Sequence, residues 1–444
     1  MLMSLIYKEI IMISAHWPFS PSKVPFFYGW VIWGISTLGI LFSIPGQTMG
    51  LAVFTDSFIE VLGLTRTELS LAYLFGTLAS SLFLARAGRW YDLFGGRIMI
   101  SIASLVLSIT ILYISFVDSI SDAMGDSTLI SFCLILIGYF GVRFFGQGIL
   151  TSCSRNVLLV WFIKKRGLVT GIRNVFVSLG FSMAPLLLAS LISLFSWKVA
   201  LWILAVTGGL GFSLLALVFI RDNPESCGLR PDGINLESLQ ETPLEVPSQT
   251  LRQVKYSPIF WIYSLSLSMH AMFGTAIVFH IVAIFEEAGK GRSEALSYFI
   301  PAAIFSTISN LVASWVADKI TLKPILVIML LAFCFGSWGF INLNSSWGFW
   351  LLALGFGIGG GLWGVISNLA YIRFFGPKHL GEISGFSTSI TVFASAIGPA
   401  AFSLGFDFFG SYNAAAKICL AFLFLLLVVA IFLNQREGGQ LAST

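Results

Sequence analysis

Arg143 is the residue of which this chain asks most. It stands within an apolar run from Ser131 to Leu150, where a guanidinium at the centre of a bilayer costs roughly 3 kcal/mol on insertion scales and needs a partner or a cavity. Tyr139 and Gln147 lie four residues to either side, so helical spacing places all three on one face. Such a face can hold an anionic ligand or tune a nearby proton site. It can equally be a structural arginine bonded to backbone carbonyls of an adjoining helix. His270 and His280 occupy a second apolar run. An imidazole titrates near neutrality, so His270 is a site for proton coupling or a neutral ring satisfied by one hydrogen bond, and His280 fits the second description better. Asn174, Asn310 and Asn368 stand in further apolar runs; each could line a path, or bond one helix to another.

Other patterns carry less. Gly355, Gly357 and Gly360 spell a dinucleotide fingerprint, but no strand precedes them, and close helix packing through Gly357 and Gly361 explains them better. Cys133, Cys153, Cys227, Cys334 and Cys419 form no close pair, which argues against a disulfide framework or a zinc site. No cofactor, metal centre or enzymatic nucleophile–base pair is expected. No Asp or Glu lies deep in an apolar run, Asp407 being near the end of one. A cationic solute, which wants an embedded carboxylate, is therefore disfavoured.

The elements that position these groups follow from composition. The 444 residues are 57% hydrophobic and 10% charged, with a mean hydropathy of +0.90. Soluble domains carry about 25% charge. Apolar runs long enough to cross hydrocarbon recur at 27–51, 67–87, 97–117, 129–153, 167–195, 200–220, 258–284, 294–316, 324–342, 349–372, 382–406 and 412–433. Strand alternation is absent, so the spans are helices. The fold class is an all-α polytopic membrane protein with twelve transmembrane helices. It divides into a tail at 1–24, a six-helix bundle at 25–220, a polar linker at 221–257 with Pro224, Pro231, Pro243 and Pro247, a second bundle at 258–433, and a tail at 434–444. The first tail has Lys8, a short apolar stretch from Ile10 to Ile13, then His16, Pro18 and Pro21, without a small-residue cleavage site.

Charge orients the spans. Of the 25 Lys and Arg, only Arg66, Lys198, Lys290, Arg292 and Lys417 fall on one side, where Asp118, Asp122 and Asp126 also lie. All the rest except Arg143, from Lys8 to Arg436 and including Arg97, Arg155, Arg173 and Arg221, fall on the other. The positive-inside rule then puts both termini and the linker in the cytoplasm, and the net charge of +4 reflects orientation rather than nucleic-acid binding.

Two internal echoes join the halves. Gly88, Arg89, Asp92, Gly95 and Arg97 follow the second span; Asp318, Lys319 and Lys323 follow the eighth, and both acids and both closing cations are 226 positions apart (318 − 92 and 323 − 97). Trp161-Phe162, Lys164-Lys165-Arg166-Gly167 and Gly171 are echoed by Phe374-Phe375, Lys378-His379, Gly381 and Gly385, with Gly167 and Gly381 separated by 214, as are Gly171 and Gly385. Corresponding loops with one pattern mean two structural repeats.

At these residues the chain resembles the major facilitator superfamily. Its loop signature fits Gly88, Asp92, Gly95 and Arg97, and its fourth-span signature fits Arg143, Gln147 and Gly148. Arg221-Asp222-Asn223-Pro224-Glu225, Tyr28-Gly29-Trp30 and Phe375-Gly376-Pro377-Lys378-His379-Leu380-Gly381 resemble the monocarboxylate-porter and oxalate/formate-antiporter branch. The resemblance covers about residues 25–433. It implies two pseudo-symmetric six-helix bundles and alternating access, with Asp92 pairing with cations such as Arg155 in a cytoplasmic latch. It also breaks. The oxalate/formate antiporters carry cations in the eighth and eleventh spans, and the proton-linked porters a Lys in the first span and an Asp-Arg pair in the eighth; this chain has none of these. The residues and the resemblance together predict a secondary transporter in the cytoplasmic membrane, monomeric, moving a small organic solute, anionic or neutral, with a coupling proton or an exchanged anion. The rivals are a transporter-like sensor, and a carrier of a larger metabolite such as a siderophore or drug.

Overall fold

The computed structural model describes residues 14–125, 127–233 and 248–434. Residues 1–13, 234–247 and 435–444, and with them Lys8, Asp126, Pro243, Pro247 and Arg436, lie outside the described residues.

Eleven helical segments among the described residues are long and apolar enough to cross a membrane. One of them, Arg66–Ser115, has 50 residues, about 75 Å at the ~1.5 Å rise of an α-helix. A bilayer core is only ~30 Å thick, so this segment is two spans. They meet at Gly95, whose φ of 82° and ψ of 167° break the helix. The second and third spans are thus the arms of one kinked rod, and twelve spans result. The stretch from Gly88 to Phe94, expected in a loop, is helical, and only Gly95 departs from helical geometry. A residue with a Cβ would be strained at that φ.

The remaining spans are Gly29–Gly46 (first), Thr128–Trp161 (fourth), Arg166–Leu194 (fifth), Trp197–Phe219 (sixth), Pro258–Glu287 (seventh), Arg292–Ala317 (eighth), Leu322–Ile341 (ninth), Ser346–Phe375 (tenth), Leu380–Phe409 (eleventh) and Tyr412–Phe432 (twelfth). Several start on a side-chain cap. Thr65 and Glu68 make a reciprocal capping box before the second span, and Ser127, Ser196, Ser345 and Ser411 accept from main-chain N–H groups at the fourth, sixth, tenth and twelfth. The fifth and eleventh spans differ. Lys165 and His379 precede them, and neither is one of the Ser, Thr, Asn or Asp residues whose side-chain oxygen caps the orphan N–H groups of a helix start.

Small residues let the spans pack closely. Ser104 donates to the Gly208 carbonyl across the third and sixth spans at 2.9 Å. A Cβ at Gly357 would fall 2.8 Å from the Ala302 carbonyl oxygen, and one at Gly361 would fall 2.3 Å from that of Ser306. The tenth-span glycines therefore seat the eighth span, and their fingerprint spacing is a packing stripe. The fourth and sixth spans each contain a π-helical stretch, Arg143–Leu150 and Thr207–Phe212.

The chain divides into two compact units. The first comprises Met1–Lys164, Phe176–Pro243 and Lys378–Ser389; the second comprises Lys165–Val175, Leu244–Pro377 and Ile390–Thr444. The opening turns of the fifth span belong with the second unit, and those of the eleventh span with the first.

Candidate functional site

The two uncapped helix starts receive their caps from remote carboxylates. In the first unit, Asp92 Oδ1 accepts from the Gly381 N–H at 2.7 Å and Oδ2 from the Glu382 N–H at 2.8 Å. In the second unit, Asp318 Oδ1 accepts from the Gly167 N–H at 2.6 Å and Oδ2 from the Leu168 N–H at 2.9 Å. Each carboxylate sits on the positive end of a helix dipole and satisfies two of its free donors. On sequence, Asp92 pairs with a cation such as Arg155; in the structure each of its oxygens goes to a main-chain N–H. The partner that a count of charges does not show is a helix start.

Glycine makes this approach possible. A Cβ on Gly88 would lie 1.9 Å from the Gly381 carbonyl oxygen, and one on Gly167 would lie 2.1 Å from that of Ser314. Ser314 stands where the 226-residue offset maps Gly88. Secondary ties flank both carboxylates. Exposed Arg89 donates to Glu382 Oε1 through Nε and Nη2, at 3.1 and 2.5 Å, and Asn156 Nδ2 donates to Ser384 Oγ at 2.9 Å. Arg373 Nη2 lies 3.8 Å from Asp318 Oδ1 and donates to the Ala317 carbonyl at 2.6 Å. Lys319 lies over the Trp315 ring.

The closing cations Arg97 and Lys323 also correspond. Arg97 Nε donates to the carbonyl of Leu217 at the end of the sixth span (2.6 Å), and Lys323 Nζ donates to that of Leu433, at the end of the twelfth (3.0 Å). Arg97 goes further, with Nη1 on the Ser14 carbonyl and Nη2 on that of Trp17. Beside it, Arg221 donates to the carbonyls of Ala15, Trp17 and Phe19 as well as those of Val218 and Ile220. Asp222 Oδ1 accepts the Arg97 N–H at 2.8 Å. Burial raises the Asp222 carboxyl above the ordinary range, against the opposing pull of the Arg97 N–H and of the Arg97 and Arg221 charges. Arg97, Arg173 and Arg221, counted on sequence as loop cations, are each at most 2% exposed. Apart from the Val218 and Ile220 carbonyls beside Arg221, their acceptors come from segments remote in the chain, which local composition does not reveal.

Arg143 is 3% exposed. Its Nη1 donates to the Gly46 carbonyl of the first span at 3.1 Å, and the guanidinium lies 5.2 Å from the centre of the Tyr73 ring. Among the described residues its Nε has no hydrogen-bond partner. A Cβ on Gly46 would strike the Val142 carbonyl oxygen at 2.2 Å, so the first and fourth spans touch backbone to backbone here. Tyr139 is buried edge-on to Tyr73 at 5.7 Å. The π-helical stretch that opens at Arg143 widens the turn, so Gln147, half-buried, is shifted from the α-helical stripe on which its spacing puts it. Tyr73 is missed on sequence, where one tyrosine in a second span carries no signal.

In the second unit the ring of His270 stacks on Phe333 at 4.6 Å, with Trp363 at 5.6 Å. Its Nδ1 is buried without a partner among the described residues. His280 Nε2 lies 3.0 Å from the Pro399 carbonyl oxygen. The asparagines come together: Arg173 Nη2 donates to Asn368 Oδ1 at 2.7 Å, Asn310 Nδ2 donates to the Gly361 carbonyl at 2.9 Å, and Asn174 Nδ2 approaches Asn310 Oδ1 at 3.5 Å. Asn310 and Asn368 thus bond one helix to another. Among the described residues no three His, Cys, Asp or Glu are placed to hold a metal.

The sequence profile of the Major Facilitator Superfamily matches residues 36–399. No curated protein matches the chain in sequence. Among solved structures, a proton:xylose symporter of that superfamily, bound to 6-bromo-6-deoxy-D-glucose, is 15% identical with a TM-score of 0.69 over 93% of this chain and 97% of its own. A bacterial homologue of the iron transporter ferroportin in an outward-facing state is 18% identical, with a TM-score of 0.69 over 90% and 98%. A human organic anion transporter is 15% identical, with a TM-score of 0.57 over 93% and 100%. At these identities the likeness is one of fold.

Proposed function

Because the chain belongs to the Major Facilitator Superfamily, we propose that it is a secondary active transporter of a small organic solute, anionic or neutral, working by alternating access with Arg143 as the charge that meets the solute. The observation that carries this is the state of that guanidinium. It is buried in the fourth span, one of its donors is spent on the Gly46 carbonyl, and its Nε is unused among the described residues. A buried cation left this way gains from an anionic or carbonyl-bearing ligand. Tyr73 lies against it and Tyr139 packs on Tyr73, with Gln147 four residues further along the same span. His270 is a second place for the solute or for a coupling proton, with Asn174 beside the Asn310 bridge.

The two carboxylate-capped helix starts are gates in this reading. The contacts of Asp92 and Asp318 hold while the cytoplasmic side is shut and part when it opens. The protein sits in the cytoplasmic membrane as a monomer with both termini inside, as the loop charges favour. Proton-linked sugar carriers and an organic anion transporter share the fold, so it accommodates both solute classes.

A thermal-shift screen of organic acids, sugars, amino acids and iron chelates supplies the solute, since a ligand of the folded state stabilises it by mass action. In proteoliposomes the Arg143→Ala variant is expected to keep its melting transition and lose concentration-dependent uptake or exchange of that solute. Unchanged flux would remove Arg143 from the role. A chain that binds the solute without any flux would instead be a sensor.

A further inference from the structure

The described chain begins with a segment that the two buried arginines hold by its backbone. Arg97 and Arg221 direct five donor contacts at the carbonyls of Ser14, Ala15, Trp17 and Phe19. The ring of Trp17 lies 5.5 Å from the Arg97 guanidinium, and that of Phe19 lies 5.2 Å from that of Arg221. Two guanidinium groups side by side repel each other, and both are at most 2% exposed. Carbonyl oxygens and ring faces are what lets them stay buried.

The same arginine anchors the turn that aims Asp92. Gly95 sits three residues after Asp92, at its φ of 82°. A Cβ there would strike the Asp222 carboxylate at 2.5 Å, and that carboxylate accepts the main-chain N–H of Arg97. Of the three carbonyls that the Arg97 side chain holds, two belong to the N-terminal segment and one to Leu217. A release of the segment therefore removes two of the three carbonyls that anchor the Arg97 side chain next to this turn, and leaves it the Leu217 carbonyl and the Asp222 bond to its main-chain N–H.

We propose that residues 14–19 act as a strap, docked on the Arg97–Arg221 pair, which keeps the Gly95 turn in the geometry that lets Asp92 cap the eleventh span; Arg97 and Arg221 are positioning residues for that latch. This rests on the gating role proposed for Asp92. A carbonyl-bearing, aromatic-flanked segment is the ligand of the pair, and the chain supplies its own.

Cys153 reports on the latch without touching the strap. It is 3% exposed and lines a small cleft with Tyr91, Gly88 and Gly381, so movement of the eleventh-span start away from it opens it to a maleimide. The other four cysteines are replaced by alanine, and N-ethylmaleimide labelling is timed in membranes. Deletion of residues 1–19 is expected to speed labelling of Cys153 roughly tenfold, within the range of ordinary coupling between sites, with the cooperative melt retained. Trp17→Ala/Phe19→Ala, which leaves the carbonyls in place, gives a smaller acceleration and serves if the deletion does not fold. Asp92→Asn is the control. If it speeds labelling while the deletion and the double variant leave it slow, the strap is overturned and the gate stands. If Asp92→Asn leaves Cys153 protected, the gating reading falls, and the strap's link to the latch falls with it.

Discussion

The Asp92 and Asp318 sites are the same device built twice and supported differently. Both place a carboxylate on two N–H groups of a helix that has no cap of its own. Both are followed by a cation that grips the last carbonyls of a later span. Around Asp92 the secondary ties are an exposed Arg89–Glu382 pair and a neutral Asn156–Ser384 hydrogen bond. Around Asp318 both secondary ties come from a guanidinium, Arg373 beside the carboxylate and the buried Arg173 on Asn368. The repeat retains its backbone chemistry and diverges in its side-chain support. The strap belongs to the first site, where the three nitrogens of the Arg97 guanidinium spread to three separate carbonyls, whereas Lys323 has one described carbonyl partner.

If the two caps are equivalent gates, their loss should be more than additive. Asp92→Asn and Asp318→Asn each remove a charge-assisted cap of about 1.5–3 kcal/mol, and each alone should slow transport while leaving measurable flux. The double variant should abolish it, because neither helix start then has a carboxylate to return to. Flux in the double variant equal to that of the weaker single would show that only one site gates.

The secondary ties give the next effect. Asn368→Leu leaves the buried Arg173 guanidinium without its amide acceptor and should lower stability by about 3 kcal/mol, whereas Ser384→Ala removes one neutral hydrogen bond and should cost about 1 kcal/mol. Chemical or thermal melts of the two variants in one detergent decide the order. Equal losses would mean that the difference in support is geometric and not energetic.

The parts of this design that were legible in the sequence are those that depend on type and spacing. Twelve spans follow from apolar runs, and the pairing of Asp92 with Asp318 and of Arg97 with Lys323 follows from one constant offset. The helix through Gly88–Phe94 was not legible, because Gly88, Gly95 and Gly96 read as a loop, and helix continues until the single positive φ at Gly95. Nor were the partners of the carboxylates. A main-chain N–H has no letter in the sequence, and the only hint was negative, a Lys and a His where caps belong. Arg143 stands out because apolar residues surround it, whereas Arg173 sits six residues after Gly167 in a basic cluster and reads as part of the loop. Its acceptor Asn368 is 195 positions away. The face shared by Tyr139, Arg143 and Gln147 assumed a uniform α-helix, which the π-helical stretch at Arg143 does not keep.

The smallest effect separates the two closing cations. Lys323 has one described carbonyl partner, that of Leu433. Lys323→Arg preserves that bond and should change the melt by less than about 0.5 kcal/mol, the usual size for a substitution that breaks no buried feature. Arg97→Lys keeps the charge and the stem but cannot serve the carbonyls of Leu217, Ser14 and Trp17 together. It should cost about 2 kcal/mol, because at least one buried carbonyl loses a charged donor. The asymmetry should also vanish when the strap is gone. In a chain lacking residues 1–19, Arg97 has only the Leu217 carbonyl left of its three, the same single bond that Lys323 makes. Arg97→Lys should then be nearly as mild as Lys323→Arg. A penalty that persists in the shortened chain would place the need for a guanidinium in the bundle itself, and not in the segment it holds.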